Sequence, residues 1–229
     1  MPRFGQHSLA LTKSFEGAVH MQQVDVTVST ITVGSFSENC YIVSDAASEQ
    51  CLVIDPGAEA ERILAQIGEW QVAAIVLTHA HPDHIGAVNL VQAATGARVL
   101  IHPADAHMLG QVRPDDWLQN GATLPFGQHK VRVVHTPGHT PGQCSFLIGS
   151  HALVGDTIFE GGPGRTWCPD DFAVTLATLR NQVLGWPDDA ICYPGHGPSF
   201  RLGDIRPQVE QFLARQHEPD FWGDAEWQR

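Results

Sequence analysis

The sequence predicts an α/β domain in which two β-sheets lie inside and helices cover them on the outside. Short segments rich in β-branched residues alternate with segments whose apolar residues recur at helical spacing. This alternation occurs in two similar halves, and no low-complexity segment or Gly/Ser-rich linker separates them. Such an order is typical of a layered sandwich. We therefore expect a single domain over residues 23–229, preceded by an N-terminal extension over residues 1–22 that has no clear periodicity.

The first half of the chain alternates strands with helices. Strand patterns are found over residues 24–34, 39–44, 50–57, 72–79 and 98–103. Apolar residues at helical spacing predict helices over residues 58–70 and 86–95. Residues 104–126 contain several glycines and prolines and are predicted to be irregular.

The second half repeats this order with a different number of strands. Strands are predicted over residues 130–139, 144–149, 151–156 and 190–196. Helices are predicted over residues 169–185 and 206–216. Asp170 or Asp171 is the expected N-cap of the first of these helices, because a carboxylate can accept hydrogen bonds from the free N–H groups of a first turn.

Composition and charge argue against several classes of protein. Apolar residues make up 43% of the chain and charged residues 17%, which favours a globular protein over a disordered one. The formal net charge is −12 without a basic stripe, so we expect no nucleic-acid partner. No segment approaches the ~20 apolar residues of a membrane span, so we expect no membrane partner either. The five cysteines are scattered without a CxxC pair, which is typical of reduced thiols in a cytoplasmic protein.

The segment LTHAHPDHIGA, residues 77–87, concentrates metal-ligand side chains. His79 and His81 follow the end of a predicted strand and, two positions apart, project to the same side. Asp83 and His84 come after a proline, where the chain turns toward a helix and can direct them to a second point nearby. Three imidazoles and a carboxylate suit zinc, iron or manganese.

Three further segments each place a ligand-type residue beside glycine at the end of a predicted strand. His139 lies in TPGHTPG, Asp156 in LVGDTIF and His196 in YPGHGP. Glycine allows a sharp turn and a close approach of the backbone to a ligand. Each motif alone is weak, but their combination with HxHxDH indicates one shared metal centre.

In this order, the motifs HxHxDH, TPGHTPG, GDTIF and PGHG resemble the metallo-β-lactamase superfamily over roughly residues 25–200. Within that superfamily the chain is most similar to the glyoxalase II-like, or hydroxyacylglutathione hydrolase-like, branch. The resemblance implies an αββα four-layer sandwich, in agreement with the predicted order of strands and helices.

The resemblance also implies roles for the seven ligand-type residues. One metal would be held by His79, His81 and His139, and a second by Asp83, His84 and His196, with Asp156 bridging the two. The implied cofactors are two divalent metal ions, with zinc as the first choice and iron or manganese as alternatives. Asp83 and Asp156 are the expected catalytic residues, because they would hold the metals together with a metal-bridging hydroxide.

The predicted activity is hydrolysis of a small-molecule thioester or ester. Two cations ~3.5–4 Å apart can share a water and lower its pKa to about 7, and the hydroxide then attacks the carbonyl. Arg165 is a candidate contact to a substrate carboxylate, since guanidinium forms bidentate pairs, or else a structural ion-pair partner. Trp167 either lines the substrate pocket or packs in the core.

Two other functions remain open. One is a persulfide dioxygenase-like oxidoreductase, for which the resemblance implies a single iron on His79, His139 and Asp156. The other is a non-catalytic binding protein on the same scaffold, which is disfavoured because all seven ligand positions are intact. Metal count, iron content and oxygen uptake distinguish these alternatives.

Overall fold

The computed structural model describes residues 25–228, so the predicted extension over residues 1–22 lies outside the described residues. A first sheet contains six strands in sequential order: β1 (Thr27–Val33), β2 (Glu38–Asp45), β3 (Gln50–Ile54), β4 (Gln71–Val76), β5 (Val99–Ile101) and β6 (Asp116–Trp117). Its first three strands are antiparallel, and β3, β4, β5 and β6 run parallel to one another.

A second sheet of six strands is formed by the other half of the chain. In chain order these strands are β7 (Thr123–Phe126), β8 (His129–His135), β9 (Cys144–Ile148), β10 (His151–Gly155), β11 (Ile191–Pro194) and β12 (Phe200–Arg201). All neighbouring strands of this sheet are antiparallel except β10 and β11, which are parallel. The two halves therefore build two similar sheets, as the sequence predicts.

Helices cover the outer face of each sheet. Those of the first half are α1 (Ala60–Ile67), α2 (Pro82–Ile85) and α3 (Val88–Thr95), and those of the second half are α4 (Pro169–Asn181) and α5 (Leu202–Ala214). Short 3-10 helices cover residues Pro103–Met108 and Val183–Gly185. No helix within residues 25–228 is long and apolar enough to cross a bilayer.

Three clusters of buried apolar side chains define four layers. Between the sheets, Tyr41 and Leu52 of the first sheet pack with Phe146 and Leu153 of the second. A second cluster joins the first sheet to α1 and α3, and a third joins the second sheet to α4 and α5. Burial of these apolar surfaces is what holds the layers together. The αββα sandwich predicted from the sequence is confirmed.

Some predicted element boundaries are wrong for identifiable reasons. Residues 104–126, predicted to be irregular, contain most of a 3-10 helix and the short strands β6 and β7. The N-cap of α4 is Cys168 rather than Asp170 or Asp171, because Pro169 occupies the first helical position, where its missing N–H costs nothing. Asp171 instead accepts a hydrogen bond from the backbone N–H of Trp167 at 3.3 Å.

Candidate metal centre

The segment after β4 carries four of the seven predicted ligands. His79 and His81 flank Ala80 in an irregular turn, and α2 begins directly after His81, so Asp83 and His84 lie in its first turn. This short helix packs closely against the backbone at Gly57, where a Cβ atom would lie 1.7 Å from the carbonyl oxygen of Asp83. The turn Asp55-Pro56-Gly57 thus brings α2 up to the end of β3.

A first trio of imidazoles meets at one point. Nδ1 of His81 lies 3.0 Å from Nε2 of His79 and 2.9 Å from Nε2 of His139. His139 is contributed by the loop between β8 and β9, so the trio joins the two sheets. His79 is fully buried and His139 nearly so, whereas His81 is partly exposed.

A second trio lies beside the first and consists of Asp83, His84 and His196. Oδ2 of Asp83 lies 3.3 Å from Nε2 of His196 and 4.0 Å from Nε2 of His84. The rings of His84 and His79 are stacked at a tilt, with centroids 4.0 Å apart, so the two trios are in contact. In each trio the ligand atoms lie within 4.8 Å of one another.

Asp156 lies between the two trios. Its Oδ2 is 3.4 Å from Nε2 of His139 in the first trio, and its Oδ1 is 3.5 Å from Nε2 of His84 in the second. Oδ2 is also 3.7 Å from Nε2 of His196. The structure therefore brings all seven predicted residues together, with Asp156 between the two trios.

Hydrogen bonds behind the rings fix which nitrogen faces the centre. Nδ1 of His139 donates to the carbonyl of Arg165 at 2.8 Å, and Nδ1 of His196 donates to the carbonyl of Phe36 at 3.1 Å. A carbonyl only accepts, so in both rings Nδ1 carries the proton and Nε2 is left as a lone pair. Such outer contacts orient the imidazoles of metal sites and raise their basicity.

Asp55 and Thr78, neither of which the sequence predicts as functional, support the rings from behind. Oδ2 of Asp55 accepts a hydrogen bond from Nδ1 of His84 at 3.0 Å and another from the hydroxyl of Thr78 at 2.5 Å. The Thr78 oxygen in turn lies 3.0 Å from Nδ1 of His79. Since the Thr78 proton goes to Asp55, this oxygen accepts from His79. Asp55 thus orients one ring of each trio.

Two rings of the first trio, those of His79 and His81, disfavour protons in the absence of a cation. Burial and the neighbouring imidazoles lower the pKa of His79 well below 6.5. Burial and the adjacent His139 lower the pKa of His81 to about 4. These rings are therefore neutral, the state in which imidazole binds a metal.

The second trio favours a proton instead. Burial opposes a charge on His84, but nearby Asp156 and the hydrogen-bonded Asp55 outweigh it and raise the pKa of His84 to about 9. The hydrogen bond with Asp83 raises the pKa of His196, and the same bond lowers the pKa of Asp83 to about 2. Three carboxyl groups thus concentrate negative charge around this trio.

Glu38 adds a buried carboxyl group behind the second trio. It is 1% exposed, and Oε1 lies 3.8 Å from Nδ1 of His84. Burial, reinforced by the charges of Asp55, Asp83 and Asp156, raises the pKa of Glu38 to about 11. The carboxyl is therefore neutral at physiological pH in the metal-free chain.

The donor set fits two divalent cations. Nε2 of His84 and Oδ1 of Asp156 are buried and have no hydrogen-bond partner within the described chain, although both face the centre. A buried polar atom without a partner is costly, and a bound cation removes that cost. Five imidazoles and two carboxylates are the ligand types of zinc, iron and manganese sites.

The mouth of the centre is lined by the loop that follows β10. The ring of Trp167 stands edge-on to that of His81, with centroids 5.9 Å apart, and its Nε1 donates to the carbonyl of His139 at 3.2 Å. Trp167 is 52% exposed, so the prediction that it packs in the core is wrong. Arg165 lies over the Trp167 ring at 5.2 Å and forms an ion pair with Asp224.

Two other histidines support the scaffold without joining either trio. His102 and His135 stack with ring centroids 4.1 Å apart and an interplanar angle of 12°. Nε2 of His135 lies 2.8 Å from the carbonyl of Pro141, and Nδ1 of His102 accepts from the backbone N–H of Ala104. These contacts give both residues a structural role.

Comparison with known proteins identifies the family of this chain. The family model of the metallo-β-lactamase superfamily matches residues 33–196, and the chain belongs to that superfamily. The hydroxyacylglutathione hydrolase GloC of Haemophilus influenzae is 32% identical over 200 residues, which cover 78% of this chain and 94% of the relative. The predicted resemblance to the superfamily and to its hydroxyacylglutathione hydrolase branch is confirmed.

Solved structures also match the fold of this chain. The crystal structure of the BLEG-1 B3 metallo-β-lactamase matches with a TM-score of 0.74 at 29% identity and covers 82% of this chain and 100% of its own. A crystal structure of TTHA1623 in a di-iron-bound form matches with a TM-score of 0.69 at 32% identity, covering 78% of this chain and 97% of that one.

Proposed function

We propose that this chain is a metal-dependent hydrolase that cleaves a small thioester or ester. The observation that carries the proposal is the position of Asp156, whose oxygens lie 3.4 Å and 3.5 Å from imidazoles of two separate ligand trios. One divalent cation would be held by His79, His81 and His139, and a second by Asp83, His84 and His196, with Asp156 shared. Membership of the superfamily and the similarity to a hydroxyacylglutathione hydrolase support this reaction.

The carboxylates have distinct tasks in the proposed reaction. When bound, a pair of cations lowers the pKa of a shared water towards about 7 and stabilises negative charge on a substrate oxygen. Asp156 sets the separation of the two positions. Asp83, whose pKa is about 2, is too weak a base to take a proton at neutral pH, so it serves as a ligand and hydrogen-bond acceptor.

A thioester suits this arrangement better than an amide does. A thiolate leaving group has an ordinary pKa near ~8.5 and leaves with little help from a general acid. Both carboxylates that face the centre are engaged as ligands in the proposed site, and neither has to protonate a leaving group. The name of the Haemophilus influenzae relative makes a hydroxyacylglutathione the first thioester to test.

Two exposed aromatic side chains support binding of an apolar acyl or thiol group at the mouth. Trp167 is 52% exposed beside His81, and Phe36 is 74% exposed on the turn whose carbonyl holds His196. Trp167 is the proposed wall of the substrate site. Arg165 is the proposed contact to a substrate carboxylate, for which it would have to exchange its ion pair with Asp224.

The alternative with a single iron on His79, His139 and Asp156 leaves the second trio without a task. Asp83, His84 and His196 nevertheless converge within 4.8 Å, and His84 is fully buried at a cost that a cation would offset. Nε2 of His84, which is buried and has no hydrogen-bond partner among the described residues, supports a second cation.

The test combines elemental analysis with two activity assays on the same preparation. We expect two divalent cations per chain, release of a free thiol from thioesters, and loss of that activity on chelation with recovery on adding metal back. One iron per chain together with oxygen consumption on glutathione persulfide would establish the alternative instead. Two bound cations without turnover of any thioester or ester would reject the proposed reaction class.

A further inference from the structure

Asp105 is a fully buried acidic residue that the proposed reaction does not use. It lies in the 3-10 helix Pro103–Met108, and its side chain is 0% exposed. It accepts three hydrogen bonds: Oδ2 from the backbone N–H of Ala80 at 3.2 Å and from the hydroxyl of Thr140 at 2.8 Å, and Oδ1 from the backbone N–H of Gly142 at 2.6 Å. All three partners donate, as a carboxylate requires.

The three donors lie next to the ligands of the first trio. Ala80 stands between His79 and His81, and Thr140 directly follows His139. These ligands come from segments that leave different sheets, one after β4 and one after β8. A single carboxyl group therefore ties together the two chain segments whose spacing decides whether the first trio closes around one point.

The loop around Asp105 is built to fit closely. A Cβ atom at Gly142 would lie 2.6 Å from Cγ of Asp105 and 2.8 Å from its backbone nitrogen, so this position admits only glycine without rearrangement. The stacked pair of His102 and His135 holds the same 3-10 helix against the same loop, through the contact of His135 with the carbonyl of Pro141. A tight fit leaves little freedom for the two segments to separate.

We propose that Asp105 is a positioning residue for the first trio: it fixes the distance between His139 and the pair His79 and His81 without contacting a cation. The inference rests on the two-cation centre of the proposed function. Loss of the carboxylate leaves two backbone N–H groups buried without an acceptor, and the structure relieves this by separating the loops. The second trio is held by Asp55 and by the carbonyl of Phe36, so its cation should be affected less.

The test compares Asp105→Asn and Asp105→Ala with the matched control Asp45→Asn. Asp45 is also buried, 2% exposed, and also accepts from a backbone N–H, that of Ala47, and from a hydroxyl, that of Ser48, but it is the last residue of β2. The measurements are the two dissociation constants for Zn²⁺ by chelator competition, the visible absorption of the Co²⁺ form, and thermal unfolding in chelator. Asp105→Asn keeps the shape of the side chain and provides the result if Asp105→Ala fails to fold.

We expect all three variants to unfold at lower temperature, but only the Asp105 variants to weaken one Zn²⁺ site, by about 10–100-fold, and to alter the Co²⁺ spectrum. Equal Zn²⁺ constants in Asp105→Asn and Asp45→Asn would overturn the inference and reduce Asp105 to a structural role. A parent chain with two Zn²⁺ sites but no thioester turnover would reject the proposed function and leave this inference intact. A parent chain that binds no cation would reject both.

Discussion

Oδ2 of Asp55 lies 3.0 Å from Nδ1 of His84, and this contact fixes the end of β3 to the helix that carries two residues of the second trio. The same oxygen accepts the hydroxyl proton of Thr78, which in turn accepts from His79. Asp55 therefore contacts residues of both trios, directly or through Thr78, whereas Asp105 contacts only segments that carry the first. This difference separates their expected effects on cation binding.

Asp55→Asn should lower the affinity for both cations by about 10–100-fold each. A carboxylate accepts hydrogen bonds from both His84 and the backbone N–H of Thr78, whereas an amide would have to turn its NH₂ group toward one of these donors. The measurement is chelator competition beside Asp45→Asn. Weaker binding of only one cation, or of none, would show that Asp55 does not support both His84 and His79 as cation ligands.

Protons should compete with a cation at His84 of the second trio but not at His79 and His81 of the first. The pKa of His84 is about 9 in the metal-free chain, so below pH 9 a cation must displace a proton, and its affinity should fall by about tenfold per pH unit as the pH drops. The pKa of His81 is about 4 and that of His79 lies well below 6.5, so protonation of these two rings should not weaken cation binding between pH 8 and pH 6. Titration calorimetry at pH 8, 7 and 6 measures this; both affinities falling in parallel would contradict it.

Asp156→Asn should keep the fold but lose most activity and lower the affinity for both cations, because a neutral amide cannot supply the negative charge shared between them. Asp83→Asn is the matched comparison: Asp83 contacts only the second trio, so this variant should weaken one cation. Metal content and thioester turnover are measured together. If Asp156→Asn retained both cations and full turnover, the bridging role proposed for Asp156 would be wrong.

Gly195→Ala should disrupt the centre, because the added Cβ would lie 2.1 Å from Oδ1 of Asp156 and 2.5 Å from Cε1 of His84. Gly161→Ala is the control, since a Cβ there meets nothing within 4 Å. We expect loss of at least one cation in the first variant and near-parental values in the second, by elemental analysis. Equal metal content in both variants would mean that cations bind even when Asp156 is displaced.

Arg165 and Asp224 offer a test of substrate charge. Both side chains are largely exposed, so breaking their ion pair should change stability little. If Arg165 holds a substrate carboxylate, Arg165→Ala should raise KM for carboxylate-bearing thioesters, whereas Asp224→Asn, which releases the guanidinium, should lower it. Steady-state kinetics on paired substrates with and without the carboxylate measure this; unchanged KM in both variants would leave Arg165 as a structural partner only.

The candidate ligands could be predicted from the sequence because they follow predicted strands and lie beside turn residues. Asp156 and His196 follow the parallel strands β10 and β11, whose carboxyl ends meet at the same edge of the second sheet. The same rule could have found Asp55, which directly follows β3 beside the parallel strand β4. Asp105 offered no such signal, because its 3-10 helix begins at a proline within a segment that has no periodicity.

The predicted start of the last helix is wrong. The sequence predicts a helix over residues 206–216, yet α5 begins at Leu202 and contains Pro207 in its interior. Burial of Leu202 and Ile205 against the second sheet outweighs the lost hydrogen bond. Packing of this kind is not visible in a local pattern, which is why tertiary contacts, rather than propensity, decide where α5 begins.

The seven ligand-type residues are divided between the halves of the molecule. The segment after β4 of the first sheet supplies four of them, and the loops after β8, β10 and β11 of the second sheet supply the rest. Cations bound there would link the two half-molecules, so the free energy of metal binding would also stabilise the folded state. Metal binding would then require that both halves are folded and docked, since neither half alone supplies all residues of a trio.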